Sequence, residues 1–178
     1  MLFPTMELNQ VYFYTATILK WKKLLVKDEY KEIIMDSLQY LVKNKKMAIY
    51  GLVIMPNHIH LIMETLAKNG NEMPHASFMK YTAHCFLKDL RQNHQQILPY
   101  FSVDDQGRNY QFWQRNSLPI IIYKEDVLQQ KLKYIHDNPI KDKWKLVAEP
   151  SDYHYSSAKF YETGIDDLDL ITHYKDRN

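Results

Sequence analysis

One cysteine, Cys85, occurs in 178 residues, which excludes an intramolecular disulfide and every thiolate-rich zinc module and suits a reducing compartment. Glycine is scarce too. Gly51, Gly70, Gly107 and Gly164 are the only four, too scattered for a G-x-G-x-x-G turn or a Walker phosphate loop, so both nucleotide-binding readings fall. No apolar run approaches the roughly 18 residues of a membrane span. The opening MLFPTMELNQ has no basic stretch followed by an apolar one, so the expectation is a soluble, cytoplasmic protein without a membrane partner. Arginine is sparse as well, 4 against 19 lysines, fewer than direct reading of base edges would favour.

What remains is ordinary for a folded domain: 46% hydrophobic and 25% charged side chains, enough for one compact core. The net charge of +2 is unevenly spread. Residues 162–178 hold Glu162, Asp166, Asp167, Asp169 and Asp176 against Lys175 and Arg177, which leaves 21 basic and 16 acidic residues, or +5, on the rest. The expected organisation is a single domain over 1–161 followed by an acidic C-terminal tail, 162–178, that could cover a basic surface of the domain. Lysines cluster at 20, 22 and 23, at 43, 45 and 46, and at 131, 133, 141, 143 and 145. A polyanion could use all three groups, although lysines at element ends are also ordinary solvated termini.

Periodicity orders the elements. VYFYTATILKW (11–21) is β-branched and aromatic and predicts a strand. Tyr30, Ile33, Ile34, Leu38, Leu41 and Val42 repeat at helical spacing, with Asp28 as a candidate cap. MAIYGLVIM (47–55) and HIHLIMET (58–65) flank Pro56-Asn57 and predict a hairpin. A second amphipathic helix is expected over 77–92, with Phe78, Met79, Tyr81, Ala83, Cys85, Phe86 and Leu90 on a broad apolar face, then a long loop over 93–110. A last strand is expected over Leu118–Tyr123 and a third helix over 125–138, ended by Pro139. The order β-α-β-β-α-β, with a further C-terminal helix carrying Tyr134, predicts an α+β fold: a ferredoxin-like antiparallel sheet with two crossover helices on one face.

Period two along 58–65 puts His58 and His60 on one face, with Ile59, Leu61 and Met63 opposite, where amphipathic helices need an apolar partner. Two imidazoles at i and i+2 could bind one divalent metal; two half-exposed histidines on a sheet are the plain alternative. Tyr134 and Asn138 share a helix face by their spacing of four, away from Leu128, Leu132 and Ile135. Beside a cation that polarises a phosphodiester, a phenol can attack phosphorus, with the asparagine carbonyl as a third ligand. A half-buried aromatic with its hydroxyl in water is the alternative for Tyr134.

Together, Met55-Pro-Asn-His-Ile-His-Leu-Ile-Met-Glu64, Phe112-Trp-Gln114, Tyr134-Ile-His-Asp-Asn-Pro139 and Pro150-Ser-Asp-Tyr-His-Tyr-Ser-Ser157 resemble the REP-associated tyrosine transposases. These are a branch of the HUH single-tyrosine transposases, which act on single-stranded DNA. The resemblance implies that His58 and His60 are metal ligands, Asn138 a third ligand, Tyr134 the nucleophile, and Mg²⁺ or Mn²⁺ the metal. It implies strand cleavage through a 5′-phosphotyrosine and rejoining without ATP, in keeping with the missing nucleotide loop. The implied partner is single-stranded or hairpin DNA, and the implied state a monomer or homodimer. For strand binding, Trp113, Tyr153 and Tyr155 are candidate stacking residues, with core packing the alternative for Trp113, and Arg115, Lys131, Lys133, Lys141 and Lys143 candidate phosphate contacts. His136, turned by about 200° from Tyr134, is expected to be structural or DNA-facing. A domesticated hairpin nickase and a non-catalytic nucleic-acid-binding module are the competing readings.

Overall fold

The computed structural model describes residues 6–105, 107–115, 117 and 119–177. Four strands, β1 (Val11–Thr17), β2 (Met47–Met55), β3 (His58–Thr65) and β6 (Ile120–Ile121), form one sheet in the order β2-β3-β1-β6 with every pair antiparallel. That is the ferredoxin-like order expected. Helices α1 (Asp28–Lys43) and α2 (Pro74–Asn93) supply the crossovers. The expected long loop contains a small hairpin, β4 (Ser102–Asp105) with β5 (Arg108–Tyr110). Helix α3 (Glu125–His136) and the short α4 (Ala158–Thr163) complete the set.

Several boundaries move for local reasons. β1 stops at Thr17, and Leu19–Trp21 and Leu24–Val26 form 3₁₀ turns, tied down by Ile18 N–H to the Asn57 carbonyl (2.8 Å) and Leu25 N–H to the Pro56 carbonyl (3.0 Å). Asp28 does not cap α1. Lys27 takes that place, and Asp28 sits in the first turn, where its charge suits the helix dipole and pairs with Lys31 at 2.7 Å. Pro74 starts α2 three residues early, as proline can at a first helical position. The buried stripe of α2 is Phe78, Thr82, Phe86 and Leu90; Tyr81 is exposed and Cys85 only half-buried. The last strand shrinks to two residues, and Leu118 lies outside the described residues. α3 ends at His136, so Asn138 falls in the next 3₁₀ turn.

Both faces of the sheet are covered. Ile59, Leu61 and Met63 pack with Tyr30, Ile34, Leu38, Phe78 and Phe86 in the core beneath α1 and α2. On the other face, Leu128, Leu132 and Ile135 of α3 pack on Phe13, Val53, Met55 and Ile62. Gly51 permits that approach: a Cβ there would lie 2.7 Å from Leu132 Cδ2 and 2.9 Å from Ile135 Cδ1.

The expected acidic tail is instead part of the domain. Leu168 and Leu170 are buried in the first core, and Thr172 N–H reaches the Ile49 carbonyl at 2.9 Å. With Ser157 N–H on the Leu52 carbonyl (2.9 Å) and Ile54 N–H on the Tyr155 carbonyl (2.9 Å), this wrap satisfies the otherwise bare edge of β2. Near the end of the chain Arg177 grips the buried Glu64 through two bonds of 2.9 Å, beside Tyr50, whose hydroxyl donates to the same carboxylate at 2.6 Å. Glu162, Asp167, Asp169 and Asp176 are exposed, Asp166 accepts from the backbone N–H groups of Leu168, Leu170 and Ile171, and the two leucines anchor the segment, so burial rather than net charge decides its place.

Candidate active site

β3 brings His58 and His60 onto the face covered by α3, with ring centroids 4.7 Å apart. Neither is half-exposed, as the plain alternative would have it; they are 7% and 6% accessible. Burial, followed for His58 by the charges of Lys143 and Lys141, pushes its pKa down to about 4. Burial, His58 and then Lys141 and Lys131 push His60 down to about 3. Both rings are therefore neutral near pH 7, the form that coordinates a metal.

The partners of the two rings leave the same atom open on each. His58 Nδ1 lies 2.7 Å from Asn57 Oδ1. Asn57 Nδ2 donates to the Trp21 carbonyl at 3.2 Å, which can only accept, so the amide oxygen faces His58 and Nδ1 must carry the proton. His60 Nδ1 lies 2.7 Å from the hydroxyl of Thr15, its cross-strand neighbour. Neither Nε2 has a hydrogen-bond partner among the described residues. Metal-binding histidines are typically held in this way, by a bond to the nitrogen that does not coordinate. The donor chemistry thus fits a divalent cation.

Tyr134, 45% exposed, is brought to the same place by the docking of α3: its ring centroid is 5.4 Å from His60 and 6.1 Å from Phe13. Phe13 stacks on His60 at 5.2 Å. The trio of His58, His60 and Tyr134 comes from a single chain. Asn138 is buried just beyond, its Nδ2 donating to the Tyr134 carbonyl at 3.0 Å. That bond ties Asn138 to the end of α3 through its amide nitrogen, the half of the amide that can only donate.

Positive charge rings the trio. Lys141 Nζ stands 4.0 Å over the Tyr134 ring, Lys131 Nζ 4.7 Å over Phe13, and Lys143 Nζ 5.1 Å over Trp144. Lys133 is exposed and pairs with Asp137 at 2.7 Å. Arg115 pairs with Asp105.

Of the three candidate stacking residues, Trp113 and Tyr155 lie in the core. Trp113 is buried in the core beneath α1 and α2, its indole N–H on the Thr82 hydroxyl at 3.0 Å. Tyr155 is buried in the same core and donates to Glu32 at 2.7 Å. Tyr153 is half-buried and donates to the Ile54 carbonyl at 2.7 Å. Tyr153 has committed its hydroxyl and keeps part of its ring exposed, whereas Trp113 and Tyr155 have spent ring and polar tip on packing. His136 is structural in this sense: Nε2 lies 2.8 Å from the Ser157 hydroxyl and the ring 5.5 Å from Tyr161. Asn57 entered the sequence reading only as a turn and motif residue, and the residues to which that reading gave no role at the site are Thr15, Trp21 and Trp144. Of these only Thr15 left a signal, as a polar residue on the first strand at the position that pairs with His60.

A second constellation that could hold a metal lies across the sheet, between α1 and α2. Glu29, Asp89 and His94 offer donor atoms within 4.8 Å of one another. Lys27 Nζ already stands there, 3.3 Å from Glu29 and 3.0 Å from His94 Nε2, and Asp89 is engaged by Tyr30 and Asn93 at 2.7 and 2.6 Å. The resident ammonium makes it a poorer fit than the histidine pair.

Among the described residues, no helix is long and apolar enough to cross a membrane. No protein-family profile matches the sequence, and no curated protein matches it. Solved structures do. A REP-associated tyrosine transposase bound to a REP hairpin superposes with a TM-score of 0.63 at 17% identity, over 97% of this chain and 91% of that one. A protein of Deinococcus radiodurans R1, proposed to be a transposase, gives 0.42 at 16% identity over 77% and 97% of the two chains. The resemblance first met in the sequence motifs thus extends to the fold, which this chain shares with a REP-associated tyrosine transposase.

Proposed function

We propose that the protein cleaves and rejoins single-stranded DNA at hairpin-bearing sites, using Tyr134 as nucleophile. The observation that carries this reading is the meeting, within one chain, of two imidazoles with open Nε2 atoms and a solvent-accessible phenol 5.4 Å from one of them, ring to ring. His58, His60 and Asn138 would hold Mg²⁺ or Mn²⁺, which supplies charge neutralisation on the nonbridging oxygens of the scissile phosphate. Lys141, Lys131 and Lys143 draw the backbone phosphates to this face. The Tyr134 oxygen then attacks phosphorus in line. One oxygen–phosphorus bond forms as the phenol gives up its proton to solvent, the bond to the 3′ oxygen breaks, and that oxygen takes a proton back from solvent and leaves as a hydroxyl. The 5′-phosphate stays on the tyrosine, and the 3′-hydroxyl of another strand reverses the step without ATP. Positioning and charge do most of the work. The solved neighbour was bound to a REP hairpin, which supports a hairpin as the substrate to try first.

The test is incubation of the purified chain with Mn²⁺ and a labelled hairpin carrying single-stranded flanks. A denaturant-resistant protein–DNA adduct and a free 3′-hydroxyl are expected. Tyr134→Phe should form neither, and His58→Ala should form neither while still binding the hairpin. Cleavage by Tyr134→Phe at the rate of the parent would overturn the assignment.

A further inference from the structure

Beside the histidine pair lies an aromatic surface made of Trp144, which packs at the margin of the core under α3, and Trp21, which lies outside both core clusters. Trp21 is 56% exposed, and its ring stands edge-on to His58 at 6.3 Å. Trp144 flanks the same imidazole at 6.1 Å. Lys143 Nζ lies 6.0 Å from the Trp21 ring and 5.1 Å from that of Trp144, while Lys23 Nζ lies 5.9 Å from Trp144. Two exposed cations and two indoles therefore share one patch at the edge of the trio.

The chain holds Trp21 there at a cost. Lys20 and Trp21 both adopt the left-handed conformation, with φ of 54° and 58°. Residues with a Cβ avoid that region, and a consecutive pair persists only where surrounding bonds enforce it. They do so here: Trp21 N–H reaches the Ile18 carbonyl at 2.9 Å, and the buried Asn57 clamps the Trp21 carbonyl with the same amide that orients His58. Apolar burial does not explain the geometry, since the indole is left in water.

We propose that Trp21 is the stacking platform for one unpaired nucleobase of single-stranded DNA, the base adjoining the phosphate presented to Tyr134. Lys143 and Lys23 would grip the neighbouring phosphates, and Trp144 walls the patch. Every base has a π-face, so the platform accepts any base, and it rejects a blunt duplex, whose bases are already stacked. This inference rests on the strand-cleavage reading for its register but makes its own prediction about binding.

The experiment uses the full chain without metal, and a single-stranded oligonucleotide in which 2-aminopurine, then an abasic site, is moved along the strand. With the parent protein, one position is expected to show quenched 2-aminopurine fluorescence, and an abasic site there should weaken binding about tenfold. Trp21→Ala should bind the intact strand about tenfold more weakly, lose the quenching, and be indifferent to the abasic site. Trp21→Phe should restore both. A parent protein with no sensitive position, or a Trp21→Ala variant that quenches and binds like the parent, overturns the platform. If either occurs while the parent still forms the Tyr134 adduct, strand cleavage stands and the platform falls. If Trp21-dependent stacking appears without any adduct, the platform stands and the cleavage reading falls.

Discussion

Gly51→Ala is the sharpest probe of how the fold sets the candidate site. The new methyl carbon would sit 2.7 Å from Leu132 Cδ2, 2.9 Å from Ile135 Cδ1 and 3.3 Å from Ile62 Cδ1. An ordinary carbon–carbon contact is about 3.5–4.0 Å, so roughly 1 Å must open between β2 and α3. Leu132 and Ile135 are buried, so rotating their side chains only passes the strain on. Overpacking of this kind costs about 1–3 kcal/mol, against about 0.5–1 kcal/mol returned by the stiffer unfolded chain. The net loss of about 1–2 kcal/mol corresponds to a fall in Tm of about 3–6 °C for a chain of this size. Tyr134 stands between the two clashing residues in sequence. Lifting α3 by that distance should slow Tyr134–DNA adduct formation at least tenfold, since a misplacement of about 1 Å can cost a hundredfold. Leu132→Ala in the same chain vacates the space and should return part of both losses, a coupling that a double-mutant cycle measures. A Gly51→Ala protein with the parent's melting temperature and adduct rate would refute the argument that this glycine sets the height of the tyrosine helix.

Stability should also depend on pH and on the C-terminal wrap. His136 is held neutral in the fold, its pKa pushed down to about 4, chiefly by burial, whereas the unfolded chain takes up the proton near pH 6.5. Its contribution is complete above that value and drains away as pH falls towards 4, by at most about 3 kcal/mol. Urea melts at pH 7.5 and 4.5 should show a smaller difference for His136→Gln, and an identical difference would reject the assignment. Arg177→Ala leaves the buried Glu64 carboxylate with the Tyr50 hydroxyl alone and should cost about 1–2 kcal/mol in a thermal melt. An unchanged melting temperature would mean that the wrap does not depend on this pair.

Element order and the placement of His58 and His60 on one face could be read from the sequence, because period two and period 3.6 are local properties of the chain. Helix α3 was equally legible, through Leu128, Leu132 and Ile135 at helical spacing. The errors concern which aromatic rings are inside. Trp113 and Tyr155 look the same in sequence whether they stack on a base or fill a core, and only the partners at Thr82 and Glu32 decide it. Trp21 went unremarked because its exposure depends on a left-handed backbone that no residue pattern announces. The wrap over β2 was hidden by the acids of residues 166–169, although Leu168 and Leu170 alternate with them. The burial of the histidines arises from distant parts of the chain, α3 and Trp144, arriving over the same strand.

The seal along β2 has a consequence for synthesis of the chain. The strand MAIYGLVIM (47–55) is apolar, β-prone and uncharged, the kind of segment that templates intermolecular pairing when its backbone is bare. The carbonyls and amides that occupy its outer edge belong to Tyr155, Ser157 and Thr172, and Tyr155 leaves the ribosome 100 residues after Met55. A nascent polypeptide therefore carries an adhesive ribbon through most of its translation, and ribosomes crowded on one message bring such ribbons side by side.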